Sequence, residues 1–427
     1  MLASGKMASC ATCGKAFTKK AGLAVHLKRK VPCTPPVTPG TPLTEFRESS
    51  KTFHKSLSKE VRQNEGIFFT PRGVRDLLFK CLKGLEPKRI LEPSFGSGEF
   101  LLDAKRIWPE AAVVGVEKNK ALFESVVCPG AELVCQDFLE WTCGEKSDLI
   151  LGNPPYFTMK DVPAKYKDLV SGRPNIYVLF LWACLTEHLS ANGIIAFVLP
   201  SSLYNCSYYQ QLRDYIQERT TILHLETLEK PGFYQTTQDT MLLVLQNGKR
   251  NDDYIYRRNG RIYINPAFKG LEALTKDTTT LSALGLGVKT GNVVWNQVKE
   301  NLVEQGGTLL IYSSNLKGSV LELGNLRGTE KKQYVVGLTK PTLDGPVILV
   351  ERGYGNTFHF NCVLTDRKGF YAENHINVVY AKTPEAVGNL ARAFKSFQDP
   401  RSRQFLALFL GNGSVTSTDM EFLLPIY

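Results

Sequence analysis

Arg89-Ile90-Leu91-Glu92-Pro93-Ser94-Phe95-Gly96-Ser97-Gly98-Glu99-Phe100 reads as a short apolar strand, a glycine turn and the start of a helix. That order places a nucleotide-like ligand against the first β-α junction of a doubly wound α/β sheet. Gly96 and Gly98 let the backbone approach such a ligand closely, and the amides that open the helix favour its carboxylate. The next strand, Ala112-Val113-Val114-Gly115-Val116-Glu117, ends in an acid that can take both hydroxyls of a ribose, 19 residues beyond Gly98. A third, Glu132-Leu133-Val134-Cys135-Gln136-Asp137-Phe138-Leu139, again ends in an acid and adds an aromatic able to cover a purine. One glycine turn says little. Successive strand endings of this kind, in this order, say much more.

The fourth strand ending is Asp148-Leu149-Ile150-Leu151-Gly152 followed by Asn153-Pro154-Pro155-Tyr156. Proline has no N–H to donate and a fixed φ, so the turn presents backbone carbonyls that nothing local claims. The Asn153 side-chain oxygen and the Pro154 carbonyl can act together as two acceptors aimed at one planar NH2 group, with Tyr156 as a flat surface for the ring that carries it.

These pieces together resemble the catalytic domain of the gamma-class adenine-N6 DNA methyltransferases of restriction–modification systems. The resemblance runs from Gly66 to about Gly248. It includes Gly66-Ile67-Phe68-Phe69-Thr70-Pro71 before the first strand, Gly193 to Pro200 after the catalytic turn, and Phe233 to Val244 beyond it. It implies S-adenosylmethionine as cofactor in a Rossmann-like domain. Thr70 and Pro71 would contact it. Glu92, Pro93, Gly96 and Gly98 would face its methionine end, Glu117 its ribose, Asp137 its adenine N6 and Phe138 its adenine face. Asn153 would lie against both cofactor and target. Asn153 and the Pro154 carbonyl would localise the lone pair of a flipped-out adenine amine, and Tyr156 with Phe233 would sandwich the base. Tyr234 is the alternative second wall, since the loop does not fix the register to one residue.

The charge is concentrated at one end. Residues 1–75 hold 14 Lys or Arg against 4 Asp or Glu, which accounts for +10 of the formal +11. A basic arm of this kind suits phosphate binding through counterion release. Within it Cys10, Cys13, Phe17, Leu23, His26 and Cys33 follow the layout of a small ββα zinc finger over residues 1–33. The final spacing departs from the usual one, with Pro32 ending the helix before a Cys in place of the usual His. The stretch resembles the Cys-Cys-His-Cys fingers of large DNA virus proteins, and implies one structural Zn2+. Residues 34–60, rich in Pro, Thr and Ser, read as a linker, and residues 61–248 as the catalytic domain.

Residues 249–427 carry no catalytic motif and mix short apolar strands with Gly and Asn turns. The resemblance makes this an α+β target-recognition domain, in which Gly287–Asn292 and Glu373–Val378 look like segments of the family. Lys289, Asn292, Arg352 and His375 are the candidate contacts to double-stranded DNA. With 43% apolar residues the 427-residue chain can fill two cores. No apolar run reaches the roughly 18 residues of a membrane span, and the ten cysteines look like reduced thiols. The expected setting is intracellular, with the chain a monomer and any cognate restriction endonuclease a separate protein. Methylation of structured RNA or of a glutamine amide uses the same Asn-Pro-Pro-Tyr, usually in smaller enzymes. A non-enzymatic zinc-finger DNA-binding protein would show a broken glycine turn or catalytic loop, and neither is broken here.

Overall fold

The computed structural model describes residues 8–9, 16–17 and 69–427, apart from 171, 173, 229–239, 249, 325, 327, 329, 354–359 and 411–413. The expectations for Cys10, Cys13, His26 and Cys33, for the linker, and for Phe233 and Tyr234 fall outside these residues. In the arm, Ala8–Ser9 pairs antiparallel with Ala16–Phe17.

Seven strands form one sheet: β1 Arg89–Glu92, β2 Ala112–Glu117, β3 Ala131–Cys135, β4 Ser147–Gly152, β5 Leu189–Pro200, β6 Thr220–Leu228 and β7 Thr240–Asn247. Their order across the sheet is β3-β2-β1-β4-β5-β7-β6. The first five pair parallel, and β7 runs antiparallel to both β5 and β6. Order reverses between β1 and β4, and at such a switch point the strand ends leave a crevice for ligands.

Near-continuous apolar runs form these strands because both faces are covered. Ile90, Val113, Leu149 and Leu151 point to a core with Val74, Leu78, Leu101 and Ala104, from helices α1 Arg72–Cys81 and α2 Glu99–Ile107. Their neighbours Leu91, Val114 and Ile150 point the other way, to a core shared with α4 Ile176–Ala183 and α5 Gln210–Arg219. Between them α3 Lys120–Ser125 begins at Asn119, whose Oδ1 accepts from the Leu122 amide. Burying each such side chain contributes about 1.5–3 kcal/mol, so the strand ends that carry polar groups are held by a rigid support.

Beyond β7 come the hairpin β8 Ile255–Arg258 and β9 Arg261–Ile264, and then α6 Phe268–Thr275. A four-stranded sheet follows, in the order β10 Leu286–Thr290, β13 Ile376–Ala381, β11 Val347–Glu351, β12 Cys362–Thr365. It packs on α7 Asn389–Gln398 and α8 Pro400–Phe409 through Val379, Ile348, Phe397 and Phe405. A second small sheet joins 302–303, 334–335, 308–311 and 370–372. Fully buried Arg213 of α5 donates to the carbonyls of Ile262 (2.8 Å) and Cys206 (2.7 Å), and Asn265 donates to the Leu408 carbonyl at 2.9 Å. These bonds fasten the hairpin and α8 to the large sheet.

Cys81, Cys135, Cys143, Cys184, Cys206 and Cys362 are free thiols. No described helix is long and apolar enough to cross a membrane.

Candidate active site

The carboxyl ends of β1, β2 and β4 converge as the strand endings in the sequence require. Glu92 closes β1 at 1% exposure, and its Oε2 is buried without a hydrogen-bond partner. Burial, and then the neighbouring carboxylate of Glu117, push its carboxyl well above the ordinary range, while the Leu101 amide and Arg75 pull the other way. The turn after it is real: Gly98, at φ +72°, stands at the N-cap of α2, in the left-handed region that glycine tolerates best. A Cβ at Gly98 would also lie 2.6 Å from Val126.

The Gly96 amide donates to Glu117 Oε2 at 2.9 Å, and the Asn119 amide donates to Oε1 at 2.8 Å. Glu117 is therefore fixed across the turn, with lone pairs left for hydroxyl donors. Asp137, just past β3, accepts from Lys118 Nζ (2.7 Å) and from the Leu139 amide (3.0 Å).

The Phe138 ring is 2% exposed and packs on Phe180 and His188, each 4.9 Å away between centroids.

At the end of β4, Gly152 takes φ +145° and places a hydrogen where a Cβ would meet Glu92 Cγ at 3.4 Å. The glycine thus lets the Asn153 turn close against the Glu92 end of the cleft. Pro154 is buried and Asn153 half-buried. The Tyr156 ring is 7% exposed and meets Tyr177 edge-on at 6.2 Å. Its hydroxyl, kept protonated by burial, lies within donating reach of the Val198 carbonyl at 2.6 Å and of Asn153 Oδ1. Thr240, the first residue of β7, pairs with Pro200, two residues from Val198.

Thr70 and Pro71 are buried beside the turn, where the Phe69 ring lies 3.8 Å from the position of a Cβ on Gly96. Sequence reading missed what holds them. Arg75, 3% exposed, donates through Nη1 to the Thr70 carbonyl at 2.6 Å and to Glu99 Oε2, and through Nε to Asp103 Oδ2 at 2.9 Å. The available signal was an arginine set between Val74 and Leu78 on the buried face of α1.

An unpartnered buried carboxylate oxygen suits an ammonium group, and Ser94 Oγ is likewise buried without a partner at the turn. Glu117 suits a diol. The donor set therefore fits S-adenosylmethionine, with Glu92, Ser94, the glycine turn, Glu117 and Asp137 as the residues that would hold it.

Gly287–Asn292 and Glu373–Val378 are brought side by side, with Lys289 opposite Val378, and the Gly291 amide donates to the Ile376 carbonyl at 2.8 Å. Lys289 is exposed, its Nζ 5.1 Å over the Tyr380 ring. His375 is partly exposed, with Nδ1 3.5 Å from Glu373 Oε1. Asn292, partly exposed, donates to the Pro341 carbonyl at 2.9 Å, and Arg352, also partly exposed, donates to the Asn374 carbonyl at 3.0 Å, with burial lowering its pKa. Among the described residues no cluster of His, Cys, Asp or Glu could hold a metal.

Residues 118–233 match the family described as Eco57I restriction-modification methylase, and residues 52–124 match N-6 DNA Methylase. The Type II methyltransferase M.CvrRI of Paramecium bursaria Chlorella virus XZ-6E is 31% identical over 398 residues, covering 90% of this chain and 99% of that one. The modification methylase CviBIII of Paramecium bursaria Chlorella virus NC1A is 29% identical, covering 87% and 96%. A class I S-adenosylmethionine-dependent methyltransferase of Listeria monocytogenes overlays 49% of this chain and 71% of its own at 16% identity and TM-score 0.40. The M protein of the type I restriction enzyme EcoKI overlays 42% and 44% at 18% identity and TM-score 0.35. With a relative aligned from end to end and the strand-end acids and catalytic turn assembled around one crevice, the chain belongs to the Type II methyltransferases of the N-6 DNA methylase family.

Proposed function

We propose that the protein is a site-specific, gamma-class DNA methyltransferase that transfers a methyl group from S-adenosylmethionine to N6 of an adenine flipped out of duplex DNA. The observation that carries this is the Asn153 turn closing against Glu92. It brings a carboxamide oxygen, oriented by Tyr156, to the mouth of a cleft whose donor set suits the cofactor.

When bound, the cofactor supplies an electrophilic methyl on a positively charged sulfur. The chain's own part is to make the amine attack. Adenine's amino lone pair is delocalised into its ring; hydrogen bonds from the two N–H groups to Asn153 Oδ1 and the Pro154 carbonyl localise it. The base must leave the stack to reach this point, and Tyr156 would sandwich it with Phe233, or with Tyr234 as the alternative second wall.

The division of the chain follows the same reading. Residues 61–248 act as the catalytic domain and 249–427 as the target-recognition domain, with Lys289, Asn292, Arg352 and His375 as the candidate DNA contacts. Cys10, Cys13, His26 and Cys33 bind Zn2+ in a finger over residues 1–33; the pairing of Ala8–Ser9 with Ala16–Phe17 brackets the first two and supports this. The finger and the linker 34–60 would add phosphate contacts.

Asn153→Ala tests the central claim. It should bind cofactor nearly as the parent does yet lose most turnover, since it removes an interaction with the reacting amine. Purified parent protein that methylated RNA or a glutamine amide while ignoring duplex DNA would overturn the reading.

A further inference from the structure

Arg75 belongs to α1, yet its three acceptors come from outside that helix. One is the carbonyl of Thr70, in the segment before α1; the others are the carboxylates of Glu99 and Asp103, in the first and second turns of α2. Glu99 is 4% exposed and Asp103 8%. Asp103 is also approached by Arg106 Nη2 at 3.5 Å, from the solvent side. A buried guanidinium shared by two carboxylates is held in one geometry, because Arg presents a planar fork of donors and each bond is charge-assisted. This fork ties together two segments that flank the glycine turn.

The electrostatics around Glu92 give the tie a second role. The groups facing Glu92 are Glu117 from β2, Glu99 and the Leu101 amide from α2, and Arg75 from α1. The two acids disfavour its ionised form, while the amide and the guanidinium favour it. Glu99 is the acid that Arg75 pairs. Removing the guanidinium takes from Glu99 the charged partner that Arg75 supplies.

We propose that Arg75 is a positioning residue of the cofactor cleft: it clamps Thr70-Pro71 to the first turn of α2 and pairs with Glu99, the acid behind Glu92. This rests on the reading of the cleft as an S-adenosylmethionine site. The arrangement also explains a polar residue in the apolar stripe of α1: a leucine there would fill space but remove the bonds that Arg75 gives to Glu99, Asp103 and the Thr70 carbonyl.

The test is cofactor binding by calorimetry to the full-length protein, from pH 6 to pH 9, for the parent, Arg75→Met, Arg75→Lys and Glu99→Gln. The parent should bind more tightly as pH rises and Glu92 ionises. Arg75→Met should bind about tenfold more weakly or worse, as expected when buried polar groups lose a charged partner, and the rise should move to higher pH. Arg75→Lys keeps the charge but not the fork, so the pH profile should return while part of the affinity loss remains. Glu99→Gln removes the acid and should move the rise to lower pH; this variant keeps the guanidinium and serves if Arg75→Met does not fold. If Arg75→Met only lowers the melting temperature and keeps the parent's affinity and pH profile, or if Glu99→Gln leaves the profile unmoved, Arg75 is a stabilising residue and the proposal is wrong. A parent that does not bind S-adenosylmethionine would overturn the cleft assignment itself, an outcome read from the parent alone.

Discussion

Glu92 sits at the end of a buried strand with one oxygen unpartnered, and that placement has a thermodynamic cost that depends on pH. Its carboxyl holds a proton to higher pH in the folded chain than in the unfolded one, where the value is about 4.3. Between those two values the folded state binds more protons, so stability falls as pH rises through that window and is flat above it. Each unit of separation is worth about 1.4 kcal/mol. Glu92→Gln keeps the shape and removes the charge. In cofactor-free protein it should therefore raise the melting temperature at pH 8, and raise it less at pH 5, while weakening cofactor binding. A variant less stable than the parent at pH 8 in scanning calorimetry would mean that the carboxylate already has a cationic partner in the free protein. The sequence showed Glu92 as a strand-end acid because its neighbours are apolar on one side and a glycine turn on the other. It did not show Arg75, whose three partners lie on separate segments, nor that the hydroxyl of Tyr156 and the ring of Phe138 turn inward, since an aromatic after a strand serves a core or a ligand equally well.

Among the elements, the parallel strands were legible for a physical reason. A strand covered on both faces is a short unbroken apolar run, and its ligand-facing end is marked by the first polar residue after it. The strands after Asn247 lack that signature. They are short, and β10 and β13 are neighbours although residues 291–375 separate them. Gly287–Asn292 and Glu373–Val378 could be singled out one by one, but nothing in either says that it pairs with the other. Gly291 marks where they cross. A Cβ there would lie 2.1 Å from the Glu373 carbonyl oxygen and 2.6 Å from that of Ala372, so the backbone must move. Gly291→Ala should cost about 1–3 kcal/mol or more in urea unfolding. Gly388→Ala is the matched control: its φ is −59° and no atom lies within 4 Å of the new methyl, so it should stay within about 0.5 kcal/mol of the parent or gain slightly. Equal losses from both would show that the crossing is not closely packed.

For the whole molecule, the uneven charge sets how DNA would be held. Residues 1–33 carry 7 Lys or Arg and no acid, whereas residues 76–427 are close to balanced. An arm of that charge adds affinity for any duplex by releasing counterions, and each phosphate contact adds about 0.9 to the slope of log Kd against log salt. Base choice is a separate matter, and belongs with side chains that reach groove edges. Deleting residues 1–60 should therefore weaken DNA binding and flatten its salt dependence, while modified-base sequencing finds the same methylated sites as for the parent. One stoichiometric zinc should disappear with the same deletion, because the four expected ligands all lie within it. A truncated enzyme that methylated a broader or different set of sites would show that the finger reads bases. Full-length protein free of zinc would leave the arm as a basic tail without a folded finger. Its charge could still bind phosphate, but Cys10, Cys13, His26 and Cys33 would then have no common task.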